Sequence, residues 1–533
     1  MQIGVSPKQD RDQTSRLAML PEAATVLSEH PAVRDAVVCR PANHEDAAAV
    51  AFVLPDEKYI EDSLGQKAAD SVQMRRWRKV YDLSQLAKAA AASPFAFNIA
   101  GWNSSYTRQP LPSEDMQEWV DTTVDRISTL TPSAVLEIGC GTGLLLLRLA
   151  ATAERYVGVD FAPAVLLRLR EQLAQTADLN ARVELLERWA DNFEGFRENS
   201  FSTVIVNSAA QYFPSRTYLN QVVEQAIRVV RPGGQVFLGD QRNLRLLKAT
   251  AASIEAFQAE PEVTVAELRS RVDRHIRQEQ QLLLSPSYFL SLTKRFPKVS
   301  RVEIHPRRGD RDNEMTRFRF DAVLWVGPAS APTTGIPFVD PPPEGWNLGN
   351  MQSRLAADTA DGIGFARIRN SRIEADIRLL DRLANADSRQ TLSELREELA
   401  QRETRGIHPE AIVRLADETG CKVAISWAGC YRDGSYDAAF IRRRASRDRS
   451  FPPLNWPHPT TADFAYYSNT PGQFEMREKL ADELVSHCRA KLESQSVPTS
   501  VRLVDSFPHG ASGSVDCEAL LSATEMATRS WLP

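Results

Sequence analysis

The stretch Ala134-Val135-Leu136-Glu137-Ile138-Gly139-Cys140-Gly141-Thr142-Gly143 constrains the fold more than any other part of this 533-residue chain. An apolar run carries an acid near its end, glycines then fall at alternate positions, and Leu144 to Ala150 reads as the start of a helix. A strand, a tight turn and a helix in that order let a ligand lie against bare backbone, because glycine permits both the close approach and the dihedrals it needs. The spacing is G-x-G-x-G, not the G-x-G-x-x-G of dinucleotide sites.

From residue 134 to about 240 the alternation of strand and helix continues, as a parallel sheet requires. Strands are expected at 134–138, 156–160, 183–187, 203–207 and 235–239, with helices at 143–152, 163–175 and 216–230. Pro232-Gly233-Gly234 breaks the last helix before the fifth strand. A helical stretch at 245–281 then leads to Val299 to His305 and to an alternating run from Thr316 to Val326. Two terminal antiparallel strands of this kind complete a seven-stranded sheet. The fold class is therefore α/β and Rossmann-like, with small α/β or α+β flanking subdomains.

Upstream, residues 16–30 read as a helix and 34–39 and 48–54 as strands, followed by a polar stretch at 55–72. Trp77, Tyr81, Phe95, Phe97, Trp102 and Tyr106 come next at irregular spacing, then a helix over 114–130. Downstream, Pro328, Pro332, Pro337, Pro341, Pro342 and Pro343 mark a linker. Helices near 372–385, 391–402 and 409–419 and a strand at 422–426 make a small α/β unit, and a helix at 475–492 and a strand at 501–504 close the chain.

A chain of this length is expected to hold several domains, and 43% hydrophobic with 25% charged residues is a globular balance. The net charge of −5 supplies no global field to recruit nucleic acid. Basic clusters such as Arg442-Arg443-Arg444 and Arg307-Arg308 read as solvated faces. Six scattered cysteines with no C-x-x-C argue against a metal site or a disulfide framework, and Cys140 reads as the small residue that its turn needs. Met1 to Thr14 lacks the apolar core of a signal peptide, and no run of ~18 apolar residues is present. A cytoplasmic protein with neither a membrane nor a nucleic-acid partner is expected.

The acid-bearing strand and the G-x-G-x-G turn resemble the first motif of class I S-adenosylmethionine-dependent methyltransferases. That resemblance implies adenosylmethionine as cofactor, with Glu137, Gly139, Cys140, Gly141 and Gly143 around its amino-acid end, where amides at a helix start suit a carboxylate. Asp160 closes the second strand, 23 residues after Glu137 (160 − 137), placed to accept from both ribose hydroxyls. Phe161 is expected against the adenine, and Asp191, after the third strand, at its amino group. On the acceptor side the fourth strand ends in Val206-Asn207-Ser208-Ala209-Ala210-Gln211-Tyr212-Phe213-Pro214, so Asn207, Gln211 and Tyr212 are expected to hold an acceptor atom, with Asn207 also touching the cofactor. Asp240 and Arg242 are next along the cleft, and His275, Glu279 and Glu314 are candidate bases.

Longer phrases are similar to the methyltransferase domains embedded in adenylation domains of nonribosomal peptide synthetases. They are Phe97 to Tyr106, Glu137 to Gly143, Asn207 to Pro214, Gly239 to Arg242, Asn313 to Asp321, Ile368 to Arg372, His408 to Glu410 and Tyr467 to Asn469. His30 to Val38 and the tail after 476 resemble the two halves of an adenylation C-terminal subdomain. Where that family closes with Asn-Gly-Lys-Val-Asp, this chain reads Ser512-Gly513-Ser514-Val515-Asp516, so the adenylating lysine is replaced by Ser514. At Gln280-Gln281, relatives tend to carry glutamates.

The resemblance implies residues 1–60 as the first adenylation remnant, 74–327 as the methyltransferase domain, 328–475 as linker and small α/β unit, and 476–533 as the second remnant. It implies a free-standing enzyme of specialised metabolism that N-methylates an amino-acid- or peptide-derived acceptor, either a small molecule or carrier-bound, with a peptide synthetase as partner in trans. Rival readings are an O- or C-methyltransferase, a non-catalytic docking partner of a synthetase, and an acyl-adenylating enzyme. Most of the domain that the last requires is missing.

Overall fold

The computed structural model describes residues 17–41, 49–56, 59, 97–99, 101–328, 335–358, 360–401, 403–443, 453–457, 467–471, 473–494, 496–504, 507–508, 515–517 and 519–520. Trp77, Tyr81, Phe95, Pro332, Arg444 and the closing Ser512 to Ser514 lie outside them. Two compact units are present, one from Met1–Gln66 with Gly472–Pro533 and the other from Lys67–Pro471.

The first unit is a four-stranded sheet assembled from distant segments. β1 (Leu17–Met19) pairs with β2 (Val33–Pro41), β2 with β3 (Val50–Pro55), and a last strand, Ser500–Leu503, runs parallel to β3. The helix expected at 16–30 is confined to Pro21–Ser28, because Leu17–Met19 pairs with Cys39 to Pro41 as an edge strand. Ala23, Leu27, Val38, Val53, Leu484, Cys488 and Val501 form one core. Cys39 and Cys517, 478 positions apart, are joined as a disulfide. Their spacing gave no sign of this pair, which exists because the fold packs both residues into one small core with Val37, Phe52 and Leu520.

The second unit holds a seven-stranded sheet of β4 (Ala134–Ile138), β5 (Arg155–Asp160), β6 (Val183–Glu187), β7 (Phe201–Asn207), β8 (Val230–Arg242), β9 (Val299–Pro306) and β10 (Arg319–Val326). Their spatial order is β6-β5-β4-β7-β8-β10-β9, with β10 antiparallel to both β8 and β9. All seven residues of β7 are buried, as expected of a central strand covered on both faces. The helix Arg216–Val229 shows how that cover is made. Ser215 caps it by accepting from the Tyr218 amide, and Leu219, Val222, Val223, Ala226 and Ile227 are buried against the sheet. Each large apolar side chain so buried contributes roughly 1.5–3 kcal/mol.

Some expected elements shrink or split. The helix after the glycine turn is only Leu146–Leu149, and the run at 245–281 is two helices, Leu247–Gln258 and Val265–Arg277, the second capped by Thr264. The alternating run from 316 starts inside a helical turn, Glu314–Arg317, with an Asn313 capping box, so β10 begins at Arg319.

Beyond the proline-rich segment lies a second sheet in the order β11-β12-β14-β13, from β11 (Phe338–Val339), β12 (Gly362–Ile368), β13 (Cys421–Ser426) and β14 (Tyr436–Arg442). Of these strands only β13 was expected. Ile363, Phe365, Ile425 and Phe440 belong to the same core as Ile304 and Phe320 of the larger sheet and Phe289 of the helix Pro286–Arg295, and Trp427 donates its amide to the Ile304 carbonyl (3.1 Å). Among the described residues no helix is long and apolar enough to cross a membrane, and no group of His, Cys, Asp and Glu could hold a metal.

Candidate active site

The chain runs outward from β4 through β5 to β6, then returns to place β7 on the other side of β4. Ligands of open α/β sheets bind beyond the strand ends at such a reversal. A cavity of about 410 Å³ lies there, lined by the loops that follow β4, β5, β6 and β7 and by the segment around Trp102.

The glycine turn forms its floor. Gly139 has φ of +76° and sits so close to Ala209 that a Cβ would meet that methyl at 2.8 Å. Gly143, at φ +84°, backs onto Leu169 in the same way and does not line the cavity. The turn was expected to offer free amides to a carboxylate. Instead Gly139 and Cys140 donate to the Val159 carbonyl (2.7 and 3.1 Å), Gly141 to Asp160 Oδ2 (2.9 Å), and Gly143 to the Cys140 carbonyl (3.0 Å). These amides shape the wall. Cys140 lines the cavity too, and burial pushes its thiol well up, away from the nucleophilic thiolate form.

Asp160 is buried at the end of β5, where its carboxylate also accepts from the Ala162 amide (3.0 Å). It therefore ties the glycine turn to its own strand and lines the cavity. Glu137 lines it too, but its carboxyl accepts from the Tyr156 hydroxyl (2.8 Å). Burial, only partly offset by that bond, pushes its pKa up to about 8.

Beside Asp160, Phe161 stacks on Trp189 with ring centroids 5.1 Å apart and planes 14° apart, both rings lining the cavity. Asp191 accepts from the Tyr218 hydroxyl (2.9 Å), and it is Tyr218, not Asp191, that lines the cavity.

Asn207, at the tip of β7, is 7% exposed and lines the cavity, yet its Oδ1 has no hydrogen-bond partner. A buried acceptor left unpaired costs on the order of 1–3 kcal/mol unless a ligand satisfies it. Opposite stand Trp102 and Trp119, ring centroids 4.8 Å apart, and Tyr212 lies half-exposed. Behind them Asp240 accepts from Trp119 Nε1 (3.2 Å), from Ser208 Oγ and from Arg319 (2.7 Å). Gln211 is buried outside the lining, its Oε1 3.3 Å from the Arg319 guanidinium.

The candidate bases lie elsewhere. Glu279 pairs with Arg242 (2.8 Å), and His275 with Glu255 (2.8 Å). Glu314 accepts from the Ser105 amide (2.8 Å), pinning the segment that carries Trp102. None of the three lines the cavity. Trp102, Trp119, Ser208, Trp189 and Tyr218 were missed as site residues. Of these, Trp102 and Ser208 lie in motifs that carry the resemblance; Trp119, on the helix Ser113–Ser128, carries no spacing signal.

The lining fits adenosylmethionine: a stacked aromatic pair beside a flat base, an acid at a diol, and an orphaned acceptor for an ammonium. Residues 135–234 match a family model described as a methyltransferase domain. The chain is 35% identical over 94% of its length to the chondramide synthase of Chondromyces crocatus, covering 13% of that protein. It is 29% identical over 94% to a probable non-canonical nonribosomal peptide synthetase of Salinispora arenicola, covering 6%, and 28% over 97% to the beauvericin synthetase of Beauveria bassiana, covering 17%.

Proposed function

We propose that this chain, which belongs to the S-adenosylmethionine-dependent methyltransferases of the nonribosomal peptide synthetase type, methylates the nitrogen of an amino-acid- or peptide-derived acceptor. The observation that carries this reading is the cavity at the tips of β4, β5 and β7, where Asp160, the Phe161–Trp189 pair and the unpaired Asn207 Oδ1 converge. In the bound state the cofactor supplies an activated methyl group. Asp160 holds the ribose, the stacked Phe161–Trp189 pair lies beside the adenine, and Asn207 takes the ammonium. Trp102, Trp119 and Tyr212 exclude water and hold the acceptor in line, the arrangement from which transfer reactions gain most.

A carrier-bound aminoacyl or peptidyl group is the favoured form of the acceptor, in keeping with the synthetase segments that the chain resembles. The first unit reads as the two halves of an adenylation C-terminal subdomain with the methyltransferase inserted between them. That reading is supported by the strand Ser500–Leu503, which completes the sheet begun by β1 to β3. The test is incubation with S-adenosylmethionine and a set of aminoacyl-N-acetylcysteamine thioesters, with fragment mass spectrometry to locate any added methyl. N-methylated product is expected; methyl on oxygen or carbon alone would replace the amine reading.

A further inference from the structure

Ser208 follows β7 and Asp240 lies near the end of the neighbouring parallel strand β8, and both hold φ values in the left-handed region, +54° and +58°. Neither is glycine; Ser208 lies in the bend after its strand, and Asp240 lies where the register of β8 against β10 shifts between Phe320 and Ala322. Such outliers persist where the surroundings over-determine them, and they gather at functional sites. Here the two are bonded to each other: the Ser208 hydroxyl donates to Asp240 Oδ2. Asp240 is 1% exposed and is itself fixed by three further contacts, from Trp119 Nε1 (3.2 Å), from the Arg319 guanidinium (2.7 Å) and, through its own amide, to Asp321 Oδ1 (2.9 Å). Ser208 and Trp119 line the cavity.

A hydroxyl has one proton and two lone pairs. With the proton committed to Asp240, the lone pairs of Ser208 are left to receive. We propose that Ser208 accepts an N–H from the incoming amine and thereby aims its lone pair at the transferable methyl, with Asp240 and Arg319 as positioning residues. This rests on the amine reading above and narrows it to acceptors whose nitrogen carries at least one hydrogen to donate. A carbon acceptor has no such hydrogen to offer.

Three variants test it, assayed with S-adenosylmethionine and the aminoacyl-N-acetylcysteamine thioester set, alongside calorimetric binding of S-adenosylhomocysteine. Ser208→Gly removes the hydroxyl at a position whose dihedral suits glycine, so its melting temperature should hold or rise. Its methyl transfer should fall about tenfold or more while S-adenosylhomocysteine affinity stays within about twofold, the pattern of a contact made to the acceptor alone. Asp240→Asn leaves a donor facing a donor, at Trp119 or at Ser208 and Arg319. It should raise KM for the thioester and lower kcat with that affinity again preserved. Arg319→Lys, which keeps the charge, should retain more transfer than Arg319→Ala.

Full transfer by a stable Ser208→Gly overturns the inference, as does an equal loss of S-adenosylhomocysteine affinity and transfer, which would make Ser208 a cofactor contact. Wild-type binding of S-adenosylhomocysteine with no N-methylated thioester in the set overturns the amine assignment. Absence of wild-type binding overturns the methyltransferase reading itself.

Discussion

Glu137 stands at the end of the strand that leads into the glycine turn, yet its environment disfavours an anion. Burial raises its pKa to about 8, against the bond from Tyr156. A carboxyl whose folded pKa lies above its unfolded one adds stability that is fully present below the unfolded value, near 4.5, and is lost as pH rises through about 8. Within that window the contribution falls by up to about 1.4 kcal/mol per pH unit. Glu137→Gln keeps an acceptor for Tyr156 and removes the titration. Urea denaturation should therefore show wild type losing stability relative to Glu137→Gln between about pH 5 and about pH 8. A difference independent of pH would mean that Glu137 stays ionised. At this scale the sequence is legible where chemistry is local: Gly139, Asp160, Phe161 and Asn207 occupy one cavity because each sits at a strand tip whose position the alternation fixes. Asp191 and Gln211 also stand near strand tips, but side-chain partners, Tyr218 and Arg319, set where their polar atoms lie.

Among the elements, residues 97–99 and 101–111 wall the cavity around Trp102 with no helix or longer strand beyond a bridge between Asn103 and Pro110. This segment is held by Thr142 Oγ1 donating to the Asn98 carbonyl (2.9 Å), by Glu314 receiving the Ser105 amide (2.8 Å), by Gln258 donating to the Ser105 and Tyr106 carbonyls (2.9 Å each), and by Tyr106 donating to Ser253 Oγ (3.0 Å). Glu314 thus acts on the segment. Glu314→Ala should speed amide hydrogen exchange across residues 101–106 and weaken S-adenosylhomocysteine binding by about five- to tenfold. Glu314→Gln, which still accepts from Ser105, should behave like wild type in both. A general base would be lost equally in the two variants, so equal loss of methyl transfer would restore that role. The sequence pointed to Glu314 through its motif but not to its partner 209 positions away. The strands β11, β12 and β14 went unread for the same reason: their pairing is set by a core shared with residues far upstream.

For the molecule as a whole, two compact units with separate cores imply separable unfolding. Differential scanning calorimetry should resolve two transitions. S-adenosylhomocysteine at about a hundred times its dissociation constant should raise only the one that belongs to the cavity-bearing unit, by roughly 2.7 kcal/mol of stabilisation. A shift of both transitions together would show that the units melt as one body.

The proposed site holds a sulfonium nucleoside across the tips of β4, β5 and β7, with Asp160 on its ribose. Its test is isothermal titration of S-adenosylhomocysteine into wild type and Asp160→Ala. One site per chain is expected in wild type and a loss of at least about tenfold in the variant, since a bond to a charged acceptor is worth roughly 1.5–3 kcal/mol. No binding to wild type, or equal affinity in the two proteins, would rule that placement out.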